Sequence, residues 1–271
     1  MNKVLVLGGS GLVGKAIINE LNGCNEFQVY GTYYKHPKLI EGNISFKLDL
    51  EDLDNAYDMI STLKPEIIIS CLRGDFDKQL VFHEKIAKYL KAIDGRLYFF
   101  STTNVFDNNL IKPHYEDEFT NSCTDYGKYK IQCEKIILKI LQNNACILRL
   151  PQVWGKDCVR MKQLRESLIN NEKIVVYPKL FLNVVTDVII AKKISYIMGN
   201  KMNGIFHIAT EDILNHKDFF EDLVSELEFN NSRIEEDFGE EGYFAILSNR
   251  SNEFPKELSI TTKSVIKELI S

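Results

Sequence analysis

The stretch "TDYGKYKIQCEK" (residues 124–135) places Tyr126 and Lys130 four residues apart. On a helix this spacing puts both side chains on one face, one turn apart. A tyrosine hydroxyl has a pKa near ~10 and is a poor acid at neutral pH, but a nearby ammonium group favours its anionic form. We therefore expect Lys130 to lower the pKa of Tyr126. The neighbouring Tyr129 lacks this help, because Cys133 stands four residues beyond it.

A second set of polar groups lies at the end of the apolar segment "RLYFFS" (96–101). The hydroxyls of Ser101, Thr102 and Thr103 occur where a buried strand would end, and ligands of open parallel sheets bind at the carboxyl ends of strands. One of these hydroxyls could hold a substrate carbonyl. A Tyr and a Lys at this spacing are common on solvated helix surfaces, so the hydroxyls and the glycine-rich turn described next are what favour chemistry.

The segment "LGGSGLVGKAI" supplies Gly8, Gly11 and Gly14 directly after a predicted strand and at the start of a predicted helix. In that context glycines allow a tight turn and let the backbone approach a pyrophosphate, which binds at the positive helix N-terminus. The pattern predicts a dinucleotide site that includes the neighbouring Ser10, Leu12 and Val13.

The window 30–38, at the end of the second predicted strand, contains no acidic residue. NAD-selective sites usually carry an acid there for the ribose hydroxyl, whereas a cation suits the 2′-phosphate of NADP. Lys35, His36 and Lys38 therefore favour NADP, with NAD left open, and Tyr33 lies at the same strand end. Asp49, followed by Leu50, could accept a hydrogen bond from adenine or could cap a helix.

Short apolar segments alternate with longer amphipathic ones along the first half of the chain. This alternation predicts an α/β fold with a Rossmann-type, doubly wound parallel sheet. We expect an NAD(P)-binding domain over residues 1–150 and a smaller mixed α/β substrate lobe over 151–271, with some chain crossing back. The acidic run 235–241 is expected to be a solvated loop. The predicted strands are 3–8, 27–34, 44–48, 66–71, 96–101 and 145–150, and the predicted helices are 12–22, 53–63, 78–93 and 123–142.

Composition excludes several classes of function. The 271 residues are 45% hydrophobic and carry a net charge of -5, which provides no basic field to attract nucleic acid. No apolar run reaches the ~20 residues of a membrane span. The six cysteines and five histidines are scattered without ligand spacing, so we expect no metal site, free thiols and a cytoplasmic location.

With these motifs in order, the sequence resembles the extended short-chain dehydrogenase/reductase superfamily over nearly its whole length, and within it the dTDP-4-dehydrorhamnose reductases. The resemblance implies that Thr102, Tyr126 and Lys130 are catalytic. It also implies cofactor contacts and substrate contacts. The cofactor contacts would include Cys71, Leu72, Leu150 and Pro151, and the substrate contacts would be Arg73, Asn104, Val105, Gln152 and Trp154.

The sequence departs from that family in its substrate region. Gln152 stands where rhamnose-forming reductases typically have an aromatic residue, and residues 177–187 do not reproduce their DQxGxPT-like stretch. Arg73 could meet an anionic ligand or be a surface arginine. The residues after Thr102 lack the Asp-Glu pair typical of sugar-nucleotide dehydratases, which disfavours dehydration.

The resemblance favours an NADP-dependent reductase of a carbonyl, with a 4-keto nucleotide sugar or a related small molecule as substrate. A non-catalytic dinucleotide-binding subunit, like the regulatory β-subunit of methionine adenosyltransferase, is one alternative. An NAD-retaining sugar-nucleotide epimerase is another. The expected partner is a small-molecule substrate, and the resemblance leaves room for a homodimer.

Overall fold

The computed structural model describes residues 1–35, 44–229 and 233–271. Within these ranges the strands and helices alternate over the first 150 residues, as the sequence predicts. The strands are β1 (Asn2–Leu7), β2 (Phe27–Tyr33), β3 (Ser45–Lys47), β4 (Ile67–Ser70), β5 (Arg96–Thr102), β6 (Ala145–Leu150), β7 (Gln152–Trp154), β8 (Lys173–Val176), β9 (Lys179–Leu182), β10 (Val184–Thr186), β11 (Gly204–His207), β12 (Leu214–Asn215), β13 (Arg233–Glu236) and β14 (Glu241–Phe244).

The helices begin and end at residues that the sequence explains. Asp75 and Thr124 accept backbone hydrogen bonds at the starts of the third and fourth helices, which therefore begin close to their predicted limits. The α-helices are α1 (Leu12–Asn22), α2 (Leu53–Leu63), α3 (Phe76–Ala92), α4 (Asp125–Leu141), α5 (Val159–Ile169), α6 (Asp187–Gly199), α7 (His216–Glu226) and α8 (Thr262–Ile270).

Seven strands form one parallel sheet in the order β11-β6-β5-β4-β1-β2-β3. Alternate residues of β1 face two different apolar clusters, with Val4 and Val6 on one side and Leu5 and Leu7 on the other. Burial on both faces explains why these strands are continuously apolar. The α/β prediction with a doubly wound parallel sheet is confirmed, and the strands' carboxyl ends lie along one edge.

The remaining strands form small sheets in the second half of the chain: β10 with β7, β12 with β9 and β14, and β13 with β8. The acidic run 235–241 is exposed to solvent, as expected, but it is not a single loop. Glu235 and Glu236 belong to β13, residues 237–240 connect the strands, and Glu241 begins β14. The chain also crosses back, because β11 pairs with β6 and α6 packs against α1. A domain boundary near residue 150 stays a prediction.

No helix in the described ranges is long and apolar enough to cross a membrane. All six cysteines are free. Among the same residues, no group of three or more His, Cys, Asp or Glu side chains is arranged to hold a metal ion.

Candidate active site

The glycine-rich turn after β1 is held in place by β2. The backbone N–H of Gly8 donates to Thr32 Oγ1 (2.9 Å), and that of Ser10 donates to the Thr32 carbonyl (3.2 Å). A Cβ on Gly14 would lie 2.4 Å from the carbonyl oxygen of Gly8, so the turn and α1 can approach this closely only with glycine there.

The N-terminus of α1 fits a phosphate group. Gly11 caps the helix without a side-chain hydrogen bond, and the first turn holds no acidic residue that would repel an anion. A cleft of about 1120 Å³ opens there, lined in part by Gly8, Gly11, Leu12, Val13 and Gly14. These are residues that the sequence assigned to a dinucleotide.

A second cavity, of about 290 Å³, lies at the carboxyl ends of β4, β5 and β6, and we call it the strand-end cavity. Thr102, Tyr126 and Lys130, the three residues expected to be catalytic, all line it. Five residues line both the strand-end cavity and the α1 cleft, so the two spaces adjoin: Val13, Cys71, Arg73, Val153 and Arg160. Other residues predicted to bind cofactor or substrate also line the strand-end cavity: Leu72, Asn104, Leu150, Pro151 and Gln152.

Tyr126 lies partly buried at the start of α4, with its ring 5.7 Å from that of Phe76. Burial raises the pKa of its hydroxyl, and the positive charge of Arg73 and a hydrogen bond with Thr102 oppose the rise. The expectation that Tyr126 has a lowered pKa is therefore wrong for this structure. The positive charge that opposes this rise in pKa comes from Arg73, an expected substrate contact, and not from Lys130.

Lys130 is 4% exposed and turns towards the sheet. Its Nζ donates a hydrogen bond to the carbonyl oxygen of Phe100 (2.8 Å) and lies 5.9 Å from the centre of the Tyr126 ring. Burial lowers the pKa of Lys130 to about 8, and the charge of Arg73 acts in the same direction. Two N–H groups of the ammonium are not used by Phe100 and can serve a ligand in the cavity.

Thr102 ends β5 and is 8% exposed. Its hydroxyl donates to Asn104 Oδ1 (2.9 Å) and accepts from the Asn104 backbone N–H (3.3 Å), which fixes the 3₁₀ turn Thr103–Phe106. The two neighbouring hydroxyls are engaged elsewhere. Ser101 Oγ donates to Glu134, and Thr103 Oγ1 donates to the carbonyl of Leu150. Of the three hydroxyls, that of Thr102 is the one that acts to lower the pKa of Tyr126.

Gly127 lets the start of α4, which carries Tyr126, pack closely on the turn that follows Thr102. A Cβ at residue 127 would lie 2.4 Å from the backbone oxygen of Asn104 and 2.1 Å from Ser122 Oγ. The first turn of α4 therefore packs directly on the backbone of the 3₁₀ turn. Sequence reasoning did not single out Gly127, although a glycine inside a helix costs about 1 kcal/mol relative to alanine and so calls for a packing reason.

Tyr129 does not line the strand-end cavity, although the centre of its ring lies 5.3 Å from Lys130 Nζ. It is 4% exposed, its hydroxyl donates to Gln79 Oε1 (2.8 Å), and its ring stacks on Phe76. The sequence distinguished the two tyrosines by what stands four residues beyond each. The structure separates them by burial, because Tyr129 faces the core between α3 and α4.

Two residues assigned to the substrate are not brought into the strand-end cavity. Val105 is fully buried in a small apolar cluster, and Trp154 is 1% exposed and packs against Phe219 and Phe220. Both assignments are corrected on this ground. Gln152 lines the strand-end cavity and also a separate cavity beside α5 and α7, to which Trp154, two residues further along β7 and on the same face, contributes.

The residues expected to contact the adenosine half of a cofactor lie apart from both spaces. Tyr33 ends β2, and Lys35 Nζ lies 5.5 Å from the centre of the Tyr34 ring. Asp49 Oδ1 accepts from the backbone N–H of Glu51, while Asp52 caps α2, so the helix-cap alternative for Asp49 is wrong. Leu50 packs against the apolar core. His36 and Lys38 lie outside the described residues.

Three residues that sequence reasoning missed contribute to the site. Thr32 holds the glycine turn, Arg160 on α5 lines both the cleft and the cavity, and Phe244 of β14 closes the cavity from the second half of the chain. Arg160 and Phe244 stand in segments whose spacing carries no signal. The charged side chains that line the strand-end cavity, taken over the described residues, are three cations and no carboxylate: Arg73, Lys130 and Arg160.

Comparison with known proteins places these features in a family. Residues 75–265 match the family described as the RmlD substrate binding domain. The chain is 28% identical to methionine adenosyltransferase 2 subunit beta from Bos taurus, over 62% of this chain and 50% of that protein. It is 26% identical to a dTDP-4-keto-6-deoxy-D-glucose reductase from Streptomyces niveus, over 60% of this chain and 59% of that protein.

The fold is shared with solved structures. A dTDP-4-dehydrorhamnose reductase from Bacillus anthracis, in complex with NADP, has a TM-score of 0.82 at 17% identity, covering 99% of this chain and 98% of that one. The chain spans about half the length of the methionine adenosyltransferase subunits that it matches. Because the family match extends over well over half of the residues, including the small sheets and most residues that line the strand-end cavity, this chain belongs to the RmlD substrate binding domain family.

Proposed function

We propose that this protein is an NADP-dependent reductase that acts on a carbonyl compound, with a 4-keto nucleotide sugar as the favoured substrate. The observation that carries the proposal is the meeting of Thr102, Tyr126 and Lys130 in a cavity that adjoins the cleft at the N-terminus of α1. The similarity to a reductase of a dTDP-linked keto sugar supports the same conclusion.

The glycine turn fits the pyrophosphate of a dinucleotide, since Gly14 leaves the backbone open where a side chain would fill it. When bound, NADPH supplies the hydride. The adjoining cavity would then receive the substrate between Leu150 and Pro151 on one side and Tyr126 on the other. NADP is favoured over NAD by Lys35 and by the lack of an acid at the end of β2.

Each polar residue has a distinct role in this proposal. The raised pKa keeps Tyr126 protonated at neutral pH, ready to donate to the carbonyl oxygen. Thr102 orients that oxygen, and Lys130 uses the N–H groups not taken by Phe100 to hold the cofactor ribose. Arg73 stabilises the phenolate that remains after proton transfer.

The charge of the cavity supports an anionic substrate. Its described lining holds Arg73, Lys130 and Arg160 but no acidic side chain, which suits the diphosphate of a nucleotide sugar. Gln152, in place of the aromatic residue typical of rhamnose-forming enzymes, indicates that the sugar differs from theirs.

The test is Tyr126→Phe, which removes one oxygen atom from the site. We expect turnover of dTDP-4-dehydrorhamnose or related keto sugars, followed as NADPH absorbance, to fall by about 100-fold or more. Affinity for NADPH, measured by calorimetry, should stay close to that of the unmodified protein. Tyr129→Phe is the matched control, since it makes the same change on the same helix outside the cavity. Equal turnover in the Tyr126→Phe and unmodified proteins would contradict the proposal.

A non-catalytic dinucleotide-binding subunit is the second candidate. The similarity to methionine adenosyltransferase 2 subunit beta favours it. In that case the protein would bind NADPH with the same glycine turn and would co-purify with a methionine adenosyltransferase. Retained NADPH binding with no turnover on any keto sugar, together with a stable complex of this kind, would make it the better conclusion.

A further inference from the structure

A buried carboxylate lies behind the candidate active site, on the helix that carries Tyr126 and Lys130. Glu134 is 3% exposed and stands one helical turn beyond Lys130. Its Oε1 accepts from Ser101 Oγ (2.5 Å) and from Arg149 Nε (3.1 Å), and its Oε2 accepts from Arg149 Nη2 (2.7 Å). The geometry is that of a bidentate ion pair with one further hydrogen bond.

Both partners of Glu134 stand at the strand-end cavity. Ser101 lines the cavity and precedes Thr102 at the end of β5, and Arg149 precedes Leu150, another lining residue, at the end of β6. One carboxylate therefore joins α4 to the two strand ends on which a substrate carbonyl and a nicotinamide would rest. A shift of Glu134 would be transmitted to both strand ends.

The ion pair is itself held from the second half of the chain. Arg149 Nη1 donates to the carbonyl of Glu116 (3.3 Å), and the Glu116 carboxylate accepts from the backbone N–H of His207 (3.0 Å) and from Ser248 Oγ (2.6 Å). Arg149 therefore cannot move independently of β11 or of the segment after β14. The charge that faces Glu134 is fixed in position.

Glu134 also acts on the charge of Lys130. Burial lowers the pKa of Lys130, and Cys133, Cys71 and Glu134 oppose that effect. Burial raises the pKa of Cys133 to about 11 and that of Cys71 to about 12, so both thiols are neutral at physiological pH. Of these three groups, only the Glu134 carboxylate supplies a negative charge there. The other titratable groups that face Lys130 are Arg73, His83, Tyr126 and Tyr129.

We propose that Glu134 is a positioning residue of the reaction, which holds Thr102 through Ser101 and keeps Lys130 charged. This inference rests on the proposed reductase function and deepens it. Glu134 does not line the cavity, so it acts through its neighbours. A carboxylate needed only for folding would be replaceable by any residue that packs equally well.

Three variants test the two effects of Glu134, on the position of Thr102 and on the charge of Lys130. Glu134→Gln removes the charge, whereas Ser101→Ala removes one hydrogen bond and leaves the charge in place. Glu134→Leu combined with Arg149→Met replaces the ion pair by apolar groups, a change that is often neutral for stability. We expect kcat to fall by roughly 10- to 100-fold in all three, because small displacements of reacting groups have effects of that size. KM should change little.

If Glu134 had only a structural role, its replacement would not shift the dependence of activity on pH. The decline of activity as pH rises through the pKa of Lys130, about 8, should shift to lower pH in Glu134→Gln and stay in place in Ser101→Ala. Arg73→Gln should shift it to higher pH, because Arg73 acts on Lys130 with the opposite sign. The pKa of Lys130, measured by competitive acetylation and mass spectrometry across pH, should follow the same order without any substrate.

Comparison with Tyr126→Phe distinguishes failure of the Glu134 proposal from failure of the proposed reductase function. If Tyr126→Phe loses turnover while Ser101→Ala and the apolar double variant keep theirs, Glu134 is structural and the positioning proposal is overturned. If Tyr126→Phe keeps turnover, the reductase proposal fails. In that case an unchanged pKa of Lys130 in Glu134→Gln overturns the claim for Glu134 as well. Should Glu134→Gln fail to fold, Ser101→Ala and the double variant still decide the positional effect, because unchanged turnover in both overturns the proposal.

Discussion

Substituting Gly127 by alanine tests whether the approach of α4 to the 3₁₀ turn sets the catalytic geometry. The new Cβ would lie 2.4 Å from the backbone oxygen of Asn104, whereas ordinary contacts begin near 3.4 Å. Ser122 can rotate its hydroxyl away, but its Cβ would still lie 2.7 Å from the new group. The Asn104 backbone cannot move alone, because Thr102 and Asn104 hydrogen-bond each other. The helix and the turn must therefore separate by about 1 Å.

The effect on stability is a balance of two terms. Alanine gains about 1 kcal/mol over glycine in helix propensity, and overpacking of this kind costs about 1–3 kcal/mol. The free energy of unfolding should thus fall by at most about 2 kcal/mol, which leaves the protein folded. The separation of Tyr126 from Thr102 has the larger consequence, since a misplacement of about 1 Å can lower turnover by about 100-fold.

The assay combines NADPH oxidation on a keto-sugar nucleotide with thermal unfolding monitored by circular dichroism. Gly199→Ala is the matched control, because a Cβ at that helical glycine meets nothing within 4 Å. It should leave turnover unchanged and stability unchanged or slightly improved. Turnover close to that of the unmodified protein in Gly127→Ala would refute the argument that this contact fixes the distance between Tyr126 and Thr102.

The remaining predictions concern the second tyrosine, the lysine and the cofactor. Tyr129→Phe should reduce the free energy of unfolding by about 1–3 kcal/mol in urea titrations, because buried Gln79 loses its hydrogen-bond partner. Turnover should stay near normal, and a large loss of turnover would contradict the different roles given to Tyr126 and Tyr129. Burial depresses the pKa of Lys130 from 10.5 to about 8, so the unfolded chain binds more protons between these values and stability should rise as pH increases from about 8 to about 10.5. Lys130→Met should remove up to roughly 3 kcal/mol of that rise, measured as the free energy of unfolding against pH. The same dependence of stability on pH in Lys130→Met and in the unmodified protein would show that the Lys130 ammonium is not desolvated. Calorimetry should show that NADPH binds more tightly than NADH, and Lys35→Gln should reduce this difference in affinity. Equal affinities for the two cofactors in the unmodified protein would refute the assignment of Lys35 to the 2′-phosphate.

Much of the fold could be predicted because its signals are local. The alternation of apolar strands and amphipathic helices depends on neighbours a few residues apart, and the parallel sheet follows from it. Asp75 and Thr124 mark helix starts for the same reason. The acidic run 235–241 was misjudged as a single loop, because strand pairing with β8 and β9 overrides the polar character of its residues.

The sequence alone determined which groups are available for chemistry. The four-residue spacing of Tyr126 and Lys130 on a helix, the glycines after the first strand and the hydroxyl at the end of the fifth are all consequences of local backbone geometry. The order of strands in a parallel sheet then brings their carboxyl ends to one edge. For that reason the candidate catalytic residues could be named before their arrangement was known.

Only the tertiary structure decided how those groups are charged and which others join them. Arg160 and Phe244 reach the strand-end cavity from distant segments, while Val105 and Trp154 turn away from it into the core. The pKa of Tyr126 is raised because burial, which no spacing reveals, outweighs the opposing effects of the Arg73 charge and of Thr102. Desolvation and contact across the sheet depend on the whole packed chain, whereas helical spacing depends on a few consecutive residues.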